Sequence, residues 1–470
     1  MLTLHEEIVV PRSPQDCFRY VADFRSTLEW DATAVAAEKT TSGPIDTGTV
    51  FALRCKAGPG TVAIDYEIEE YQPWHSLVLV GRSRFFEVRD TIVFTEVENG
   101  THIDYTAEFS WQMGLEKLAR WRENSFRAMG ERSLAGLQRA LTDNNPPPAI
   151  SACSARADKL VWPGVAMFSK WGYRRGRKHW QPVSQSMLGK HVVLTGATAG
   201  LGHATAVALA EAGATLTLVI RKPDMADPLR RSLVEETGNE NIRVELADLG
   251  ILSEVDSLIE RLLARKQPID VLINNAGALF NDYGQTSEGI ERSLALLLLS
   301  PWRLTEGLHP LLAGHEHPAR VVNVVSGGMY TERLSLKRLE MTVDDYNGPQ
   351  AYARAKRALT VMTEHWAEQW RDDNIVVNAM HPGWADTPGV QGALPTFRSI
   401  TRLILRSPEE GADTIIWLAR ASEADQVSGK LFLDREPRTT YLSAKTREKP
   451  EDRAQLPGWI AQRYRSLDRQ

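Results

Sequence analysis

Beyond residue 187, apolar runs of strand length alternate with stretches of helical periodicity, and this alternation restricts the fold more than any other feature. The runs are His191–Leu194, Thr215–Ile220, Arg243–Leu246, Val271–Ile273, Val321–Val324 and Val376–Met380. A strand covered by helices on both sides meets no water, so its sequence stays apolar instead of alternating. Strands of this kind separated by helices predict an α/β domain with a doubly wound parallel sheet.

The chain before that point follows a different rule. In Thr61–Glu69, Leu77–Val80, Asp90–Glu96 and Thr101–Phe109, apolar and polar residues tend to alternate, as in strands with one wet face. Glu98-Asn99-Gly100 supplies a hairpin turn between the last two. From Leu115 to Leu141, Leu118, Trp121, Phe126, Met129, Leu134 and Leu137 recur near helical spacing and predict one long amphipathic helix. Strands followed by such a helix predict an α+β domain, a curved sheet wrapped on a helix. Asn144-Asn145-Pro146-Pro147-Pro148 then ends any helix, because proline lacks the amide donor and clashes with the preceding turn. The basic, aromatic stretch from Trp171 to Trp180 reads as a connector that packs its Trp and Tyr on the second domain, with at most peripheral contact to an anionic membrane. The expected plan is a helix-grip domain at 1–143, a linker at 144–187, the α/β domain at 188–440 and a polar tail at 441–470.

A chain of 470 residues exceeds one ordinary core, which agrees with two domains. Its formal net charge of -5 argues against a general nucleic-acid binder. Cys17, Cys55 and Cys153 have no paired spacing, giving neither a disulfide framework nor a zinc site. The first residues lack the basic start and apolar core of a secretory signal, and the run Leu294–Leu299 is far short of a bilayer span. A soluble cytoplasmic protein is the expectation.

The first strand of the α/β domain leads at once into Thr195-Gly196-Ala197-Thr198-Ala199-Gly200-Leu201-Gly202. Gly196 permits a tight turn, Gly200 lets the backbone approach a pyrophosphate, and Gly202 lets helix and strand pack closely. A helix starting near Leu201 then aims its free amides and positive dipole end at phosphate oxygens. Arg221-Lys222 follows the second strand, where an acidic residue favours NAD and a basic one accommodates the 2′-phosphate of NADP. NADP(H) is therefore favoured, with NAD(H) the weaker choice. Asp248-Leu249 is placed to border the adenine, and Asn274-Asn275-Ala276-Gly277 puts small residues where a cofactor passes close to backbone. Tyr352 and Lys356 stand four apart and so share one helix face, where an ammonium can lower the phenol pKa and hold a ribose hydroxyl.

In this order, TGATAGLG, DL, NNAG, a serine after the fifth strand, YARAK and HPGWADT resemble the short-chain dehydrogenase/reductase family over about residues 188–435, a Rossmann-type fold. The resemblance implies hydride transfer at a nicotinamide, with Tyr352 as acid/base and Lys356 holding the ribose. It implies Ser326 polarising the substrate carbonyl, Pro382, Gly383 and Thr387 bordering the nicotinamide, and Gly196, Thr198, Ala199, Gly200, Leu201, Gly202, Arg221, Asp248, Leu249, Asn275, Ala276 and Gly277 contacting the rest of the cofactor. One position departs: where the family carries an asparagine, this chain has Leu297, which cannot hold a proton-relaying water. The segments around Ser326-Gly327-Gly328, His381-Pro382-Gly383-Trp384, Gly411-Ala412-Asp413-Thr414 and Asp434-Arg435-Glu436-Pro437 are similar, more narrowly, to the branch containing dehydrogenase/reductase member 12.

Val10-Pro11-Arg12-Ser13-Pro14, continuing through Phe18 and Tyr20 to Glu29-Trp30-Asp31, is similar to the polyketide cyclase/dehydrase and lipid-transport (START-like, SRPBCC) superfamily, through about residue 143. The resemblance implies a cavity for a small hydrophobic molecule. Trp30, Tyr66, Phe85, Phe86 and Trp111 either line it or belong to the ordinary core. Together the two halves predict an NADP(H)-dependent oxidoreductase acting on a carbonyl or alcohol of a small apolar molecule, with a tethered ligand-binding domain. The alternative, prompted by Leu297, is a non-catalytic nucleotide-sensing or ligand-binding protein. A homo-oligomer is a further expectation from the family.

Overall fold

The computed structural model describes residues 2–57, 60–111, 123–142, 166–178, 180, 183, 186–315, 317–386, 401–402, 404–443 and 446–466. The chain forms two compact units, one of residues 1–146 with 180–186 and 235–238, the other of residues 147–179, 187–234 and 239–470.

The first unit is an antiparallel sheet with helices. Its strands are β1 (Leu2–Val10), β2 (Ala34–Lys39), β3 (Val50–Ala57), β4 (Gly60–Gln72), β5 (Ser76–Arg82), β6 (Phe86–Val97) and β7 (Gly100–Trp111), paired in the order β1-β7-β6-β5-β4-β3-β2. The β6–β7 hairpin closes where Val97 faces Gly100, at the turn expected from Glu98-Asn99-Gly100. Only glycine suits that corner, because a Cβ on Gly100 would lie 2.0 Å from the Val10 carbonyl oxygen. Helix α1 (Pro14–Ala22) begins under Ser13, whose hydroxyl accepts from the Asp16 amide, with Pro14 at the first position. After the single turn α2 (Thr27–Trp30), the next long helix is α3 (Glu123–Leu141). Its expected start at Leu115 lies outside the described residues, as do Leu118 and Trp121. Leu137 and Leu141 of α3 join Phe18, Ile92, Phe94 and Ile103 in one apolar cluster, which is the grip of helix on sheet. Trp30 is core, Phe85 is exposed, and Phe86 and Trp111 pack on Phe109.

The second unit is the doubly wound sheet. Strands β8 (His191–Thr195), β9 (Thr215–Ile220), β10 (Ile242–Leu246), β11 (Val271–Asn274), β12 (Ala319–Val324), β13 (Ile375–Met380) and β14 (Leu431–Leu433) run parallel, and β15 (Glu436–Arg438) turns back on β14. The order β10-β9-β8-β11-β12-β13-β14-β15 reverses between β8 and β11, so a crevice opens at the carboxyl ends of those two strands. Every residue of β8, β11 and β12 is buried, which explains their unbroken apolar sequence. The covering helices include α5 (Gly200–Glu211), α6 (Ala226–Thr237), α7 (Leu252–Arg265), α8 (Ser300–Gly307), α9 (Gly348–Gln369) and α10 (Pro408–Arg420).

Two segments do more than their polarity suggests. The basic connector forms helix α4 (Lys170–Arg177), capped by Ser169, and buries Tyr173 within this same unit. The tail carries helix α11 (Pro450–Arg465), whose Leu456 and Ile460 reach full burial in the main apolar cluster. Two apolar side chains four apart suffice to seat a helix whose other faces are polar. Among the described residues, no helix is long and apolar enough to cross a membrane.

Candidate active site

The glycine turn sits at the mouth of the β8/β11 crevice. Gly196 adopts φ +74° and Gly200 φ +57°, a region that penalises a side chain. A Cβ on Gly202 would stand 2.0 Å from the Gly196 carbonyl oxygen, so this glycine brings α5 against the turn. Thr198 and Ala199 are exposed just before α5, where the free amides of a helix N-terminus suit an anion. Asn275 holds the turn from behind: its side-chain amide donates to the carbonyls of Thr195 at 2.9 Å and Gly196 at 3.1 Å. The Thr195 hydroxyl in turn accepts from the amides of Asn275 and Ala276, both at 3.0 Å. Asn275 thus shapes the turn, an arrangement its position after a strand did not disclose.

At the ends of β9 and β10, Arg221 Nη1 lies 4.0 Å from Asp248 Oδ2, with the arginine side chain 65% exposed. Asp248 also accepts from the Gly250 amide at 2.9 Å, and Leu249 is buried beside it. An exposed cation and an anchored carboxylate therefore stand side by side at the ends of these two strands.

Ser326, Tyr352 and Lys356 come together at the ends of β12 and the face of α9. The Ser326 side chain stands close enough to Tyr352 to act on its phenol. Burial raises the Tyr352 pKa and the Ser326 side chain opposes the rise. Lys356 is buried, its Nζ donating to the Val324 carbonyl at 2.7 Å and lying 6.0 Å from the Tyr352 ring centroid. The cause that dominates at the phenol is thus desolvation rather than the lysine charge expected from the spacing. Burial also lowers Lys356 to about 8, because little around it compensates the lost hydration.

Leu297 belongs to this cluster. It is fully buried in a wide helical turn, Ala295–Leu299, that precedes α8. A Cβ added to Gly277 would lie 3.2 Å from Leu297 Cδ2 and 3.7 Å from Lys356 Nζ. Leucine and ammonium therefore crowd the same glycine, and an apolar methyl occupies space beside the lysine.

Above the site, the chain after β13 passes through Pro382 and Gly383, the latter at φ +70°. Thr387 and residues 388–400 lie outside the described residues. The segment before α4 borders this passage, which the sequence did not reveal. The Phe168 carbonyl accepts from the Trp384 amide at 2.7 Å. Its ring meets His381 at 4.9 Å and Trp384 at 6.0 Å between centroids, and approaches Gly327, the neighbour of Ser326. Arg406 ties these pieces together from a buried position, donating to Asp434 through both Nη atoms at 2.5 and 2.9 Å. The same guanidinium donates to the carbonyls of Ser169 at 3.2 Å and Met167 at 2.6 Å. Asp434 stands in a motif visible in the sequence, but its pairing with a residue 28 positions earlier is a matter of folding alone.

Comparison with known proteins agrees with this geometry. Residues 190–396 match the family model described as short chain dehydrogenase, and residues 1–143 match that of polyketide cyclase / dehydrase and lipid transport. Human dehydrogenase/reductase SDR family member 12 is 37% identical over 292 residues, spanning 61% of this chain and 91% of that protein. Human retinol dehydrogenase 13 is 30% identical over 261 residues, spanning 53% of this chain and 78% of that protein. Among solved structures, the RhlG/NADP active-site complex of Pseudomonas aeruginosa aligns with a TM-score of 0.44 and 23% identity, covering 53% of this chain and 95% of that chain. The chain belongs to the short-chain dehydrogenase/reductase family of oxidoreductases, and its first 143 residues form a domain of the polyketide cyclase and lipid-transport type.

Proposed function

We propose that the second unit moves a hydride between NADP(H) and the carbonyl or alcohol carbon of a small apolar molecule, the first unit serving as a tethered ligand-binding domain. The observation that carries this reading is the meeting of Ser326 with Tyr352 on α9, with Lys356 one helical turn further along the same helix. The residues present suit a dinucleotide: an open glycine turn at a helix N-terminus, small residues at Ala276 and Gly277, and the exposed Arg221. When bound, the nicotinamide supplies or accepts the hydride. Tyr352 gives its proton to the substrate oxygen in reduction and takes it back in oxidation. The Ser326 hydroxyl donates to that same oxygen and stabilises charge developing there. Lys356 holds the ribose and keeps a positive charge near the phenol. Retinol dehydrogenases among the relatives support an apolar substrate. The basic Arg221-Lys222 pair after β9 supports the phosphorylated cofactor. The retained Ser326, Tyr352 and Lys356 favour turnover over a fold kept only for binding.

Titration with NADPH and NADH, followed by energy transfer from tryptophan to the nicotinamide, tests the cofactor. NADPH is expected to bind more tightly, and Arg221→Ala to weaken it about tenfold while leaving NADH unchanged, the loss of one charge-assisted contact. Equal affinity for both cofactors in the native chain would remove the 2′-phosphate role from Arg221.

Lys356 gives the reaction a pH limit. With its pKa near 8, the ammonium is lost as pH rises through that value, so kcat/KM for carbonyl reduction should fall above about pH 8. Leu297→Asn places a polar amide beside the lysine, which should raise the turnover rate and move this fall to higher pH. An unchanged profile in the variant would show that Leu297 does not set the lysine's environment.

A further inference from the structure

The first unit has a polar cluster that its binding-domain resemblance does not explain. Val88, Asp90, Ile92 and Phe94 alternate onto one face of β6 and are buried there. Three of these are apolar; Asp90 is 3% exposed. Its neighbours in the sheet are Leu79 on β5 and Ala107 on β7, neither of which offers a side-chain hydrogen bond.

Two tyrosines reach it from further strands. Tyr66 on β4 faces Gly81 on β5, and Gly81 faces Val88 on β6. A Cβ on Gly81 would stand 2.6 Å from Cε1 and Cζ of Tyr66, so the ring crosses β5 through the space that glycine leaves. Tyr105 stands opposite Ile92, diagonally across from Asp90. Both phenols act on the Asp90 carboxyl and favour its charged form. They are half-buried, while the carboxyl between them is covered.

The surroundings are apolar on two sides. Both tyrosine rings pack against one cluster containing Phe18, Ile92 and Ile103 and against another containing Leu4, Val88 and Phe109. The Asp31 carboxylate also acts on Asp90, and is held by Thr33 at 2.8 Å and Ser133 at 3.2 Å. The groups acting on Asp90 among the described residues include no cation. Burial accordingly raises Asp90 to about 7, with the two tyrosines opposing.

A carboxyl buried without a cation costs stability, and an apolar residue would complete this face of the sheet at no such cost. A carboxylate offers about four acceptor directions, more than two phenols can fill. We infer that the first unit holds a ligand site of its own, in which Tyr66, Asp90 and Tyr105 bind the single hydroxyl or keto oxygen of an otherwise apolar molecule. As a carboxylate, Asp90 accepts from an alcohol; as a carboxylic acid, it donates to a ketone. An alcohol and its ketone are the two sides of the reaction proposed for the second unit, and this link, though not the site itself, rests on that proposal.

The test is calorimetric titration of the full chain, without cofactor, using 2-naphthol, 2-acetonaphthone and naphthalene. The two oxygen-bearing probes should bind at least about tenfold more tightly than the hydrocarbon, the scale of one hydrogen bond to a charged or strong partner. Tyr66→Phe, Tyr105→Phe and Asp90→Asn should each weaken 2-naphthol about tenfold and leave naphthalene unchanged. The tyrosine variants remove one oxygen atom each, so they remain informative should Asp90→Asn fail to fold. Tyr352→Phe should leave all three affinities unchanged. The inference is overturned if naphthalene binds as tightly as 2-naphthol, if no probe binds, or if both tyrosine variants bind 2-naphthol like the native chain. Loss of binding in Tyr352→Phe would place the probe in the second unit and overturn the inference while leaving the reductase reading intact. Absence of NADPH turnover with these affinities preserved would do the reverse.

Discussion

Tyr352→Phe should lower turnover of a carbonyl substrate by about 10²- to 10⁴-fold, the range of a positioned acid–base group. The variant keeps the ring in its place on α9 and removes only the oxygen that meets Ser326. Lys356 stays bound to the Val324 carbonyl, so its position on α9 is undisturbed. NADPH affinity should therefore change little while kcat collapses, and this separation is the informative part. A fall in both would point to a disturbed fold instead. Equal turnover in the two proteins would remove Tyr352 from the mechanism. The stability change should be small, because only one oxygen atom is lost and the ring keeps its packing.

Arg406→Ala carries the largest expected effect on stability. The guanidinium is 2% exposed and meets both Asp434 oxygens and two backbone carbonyls. Removing it leaves the Asp434 carboxylate, itself 7% exposed, without that partner, and breaking a buried pair from one side costs about 3–5 kcal/mol. A fall in Tm on the order of 10 °C follows for a unit of this size. Arg406 also joins the Trp384 strand to the Met167–Ser169 segment, so the substrate side of the site should loosen and KM should rise. Burial raises the Asp434 pKa and the Arg406 charge opposes it; without that charge, the carboxyl should stay protonated to still higher pH. The variant's deficit should consequently shrink as pH falls, because a protonated Asp434 no longer needs the guanidinium. Thermal unfolding across pH checks this, and a constant deficit would assign the loss to the backbone contacts alone.

Much of the α/β half was legible because its signals are local. A glycine turn between strand and helix, and a tyrosine and lysine four apart, describe neighbourhoods that a few consecutive residues create. The positions of β8 to β13 follow from burial on both faces, which writes an unbroken apolar run into each strand. Asn275 shows the limit of that reading. Its place after β11 suggested contact with a cofactor and gave no sign that its amide also supports the glycine turn some 80 residues earlier in the chain. The polar tail likewise hid a docked helix, since Leu456 and Ile460 make too brief a pattern to stand out among charged neighbours.

The sequence by itself determined the two-part architecture, the strand–helix order and the residue types that meet at the redox site. These depend on periodicity, turn chemistry and spacing along a single helix, all of which act over a few residues. Tertiary structure alone decided that Phe168 and Arg406 border the segment from His381 to Trp384. It also decided that Leu297 crowds Lys356, and that Tyr66 crosses Gly81 to meet Asp90 and Tyr105. Each of these depends on strand register or on loops returning from distant parts of the chain. Burial then changes the chemistry of the groups so gathered, and the desolvation that moves Lys356 and Asp90 toward neutral pH exists only once the chain has closed around them.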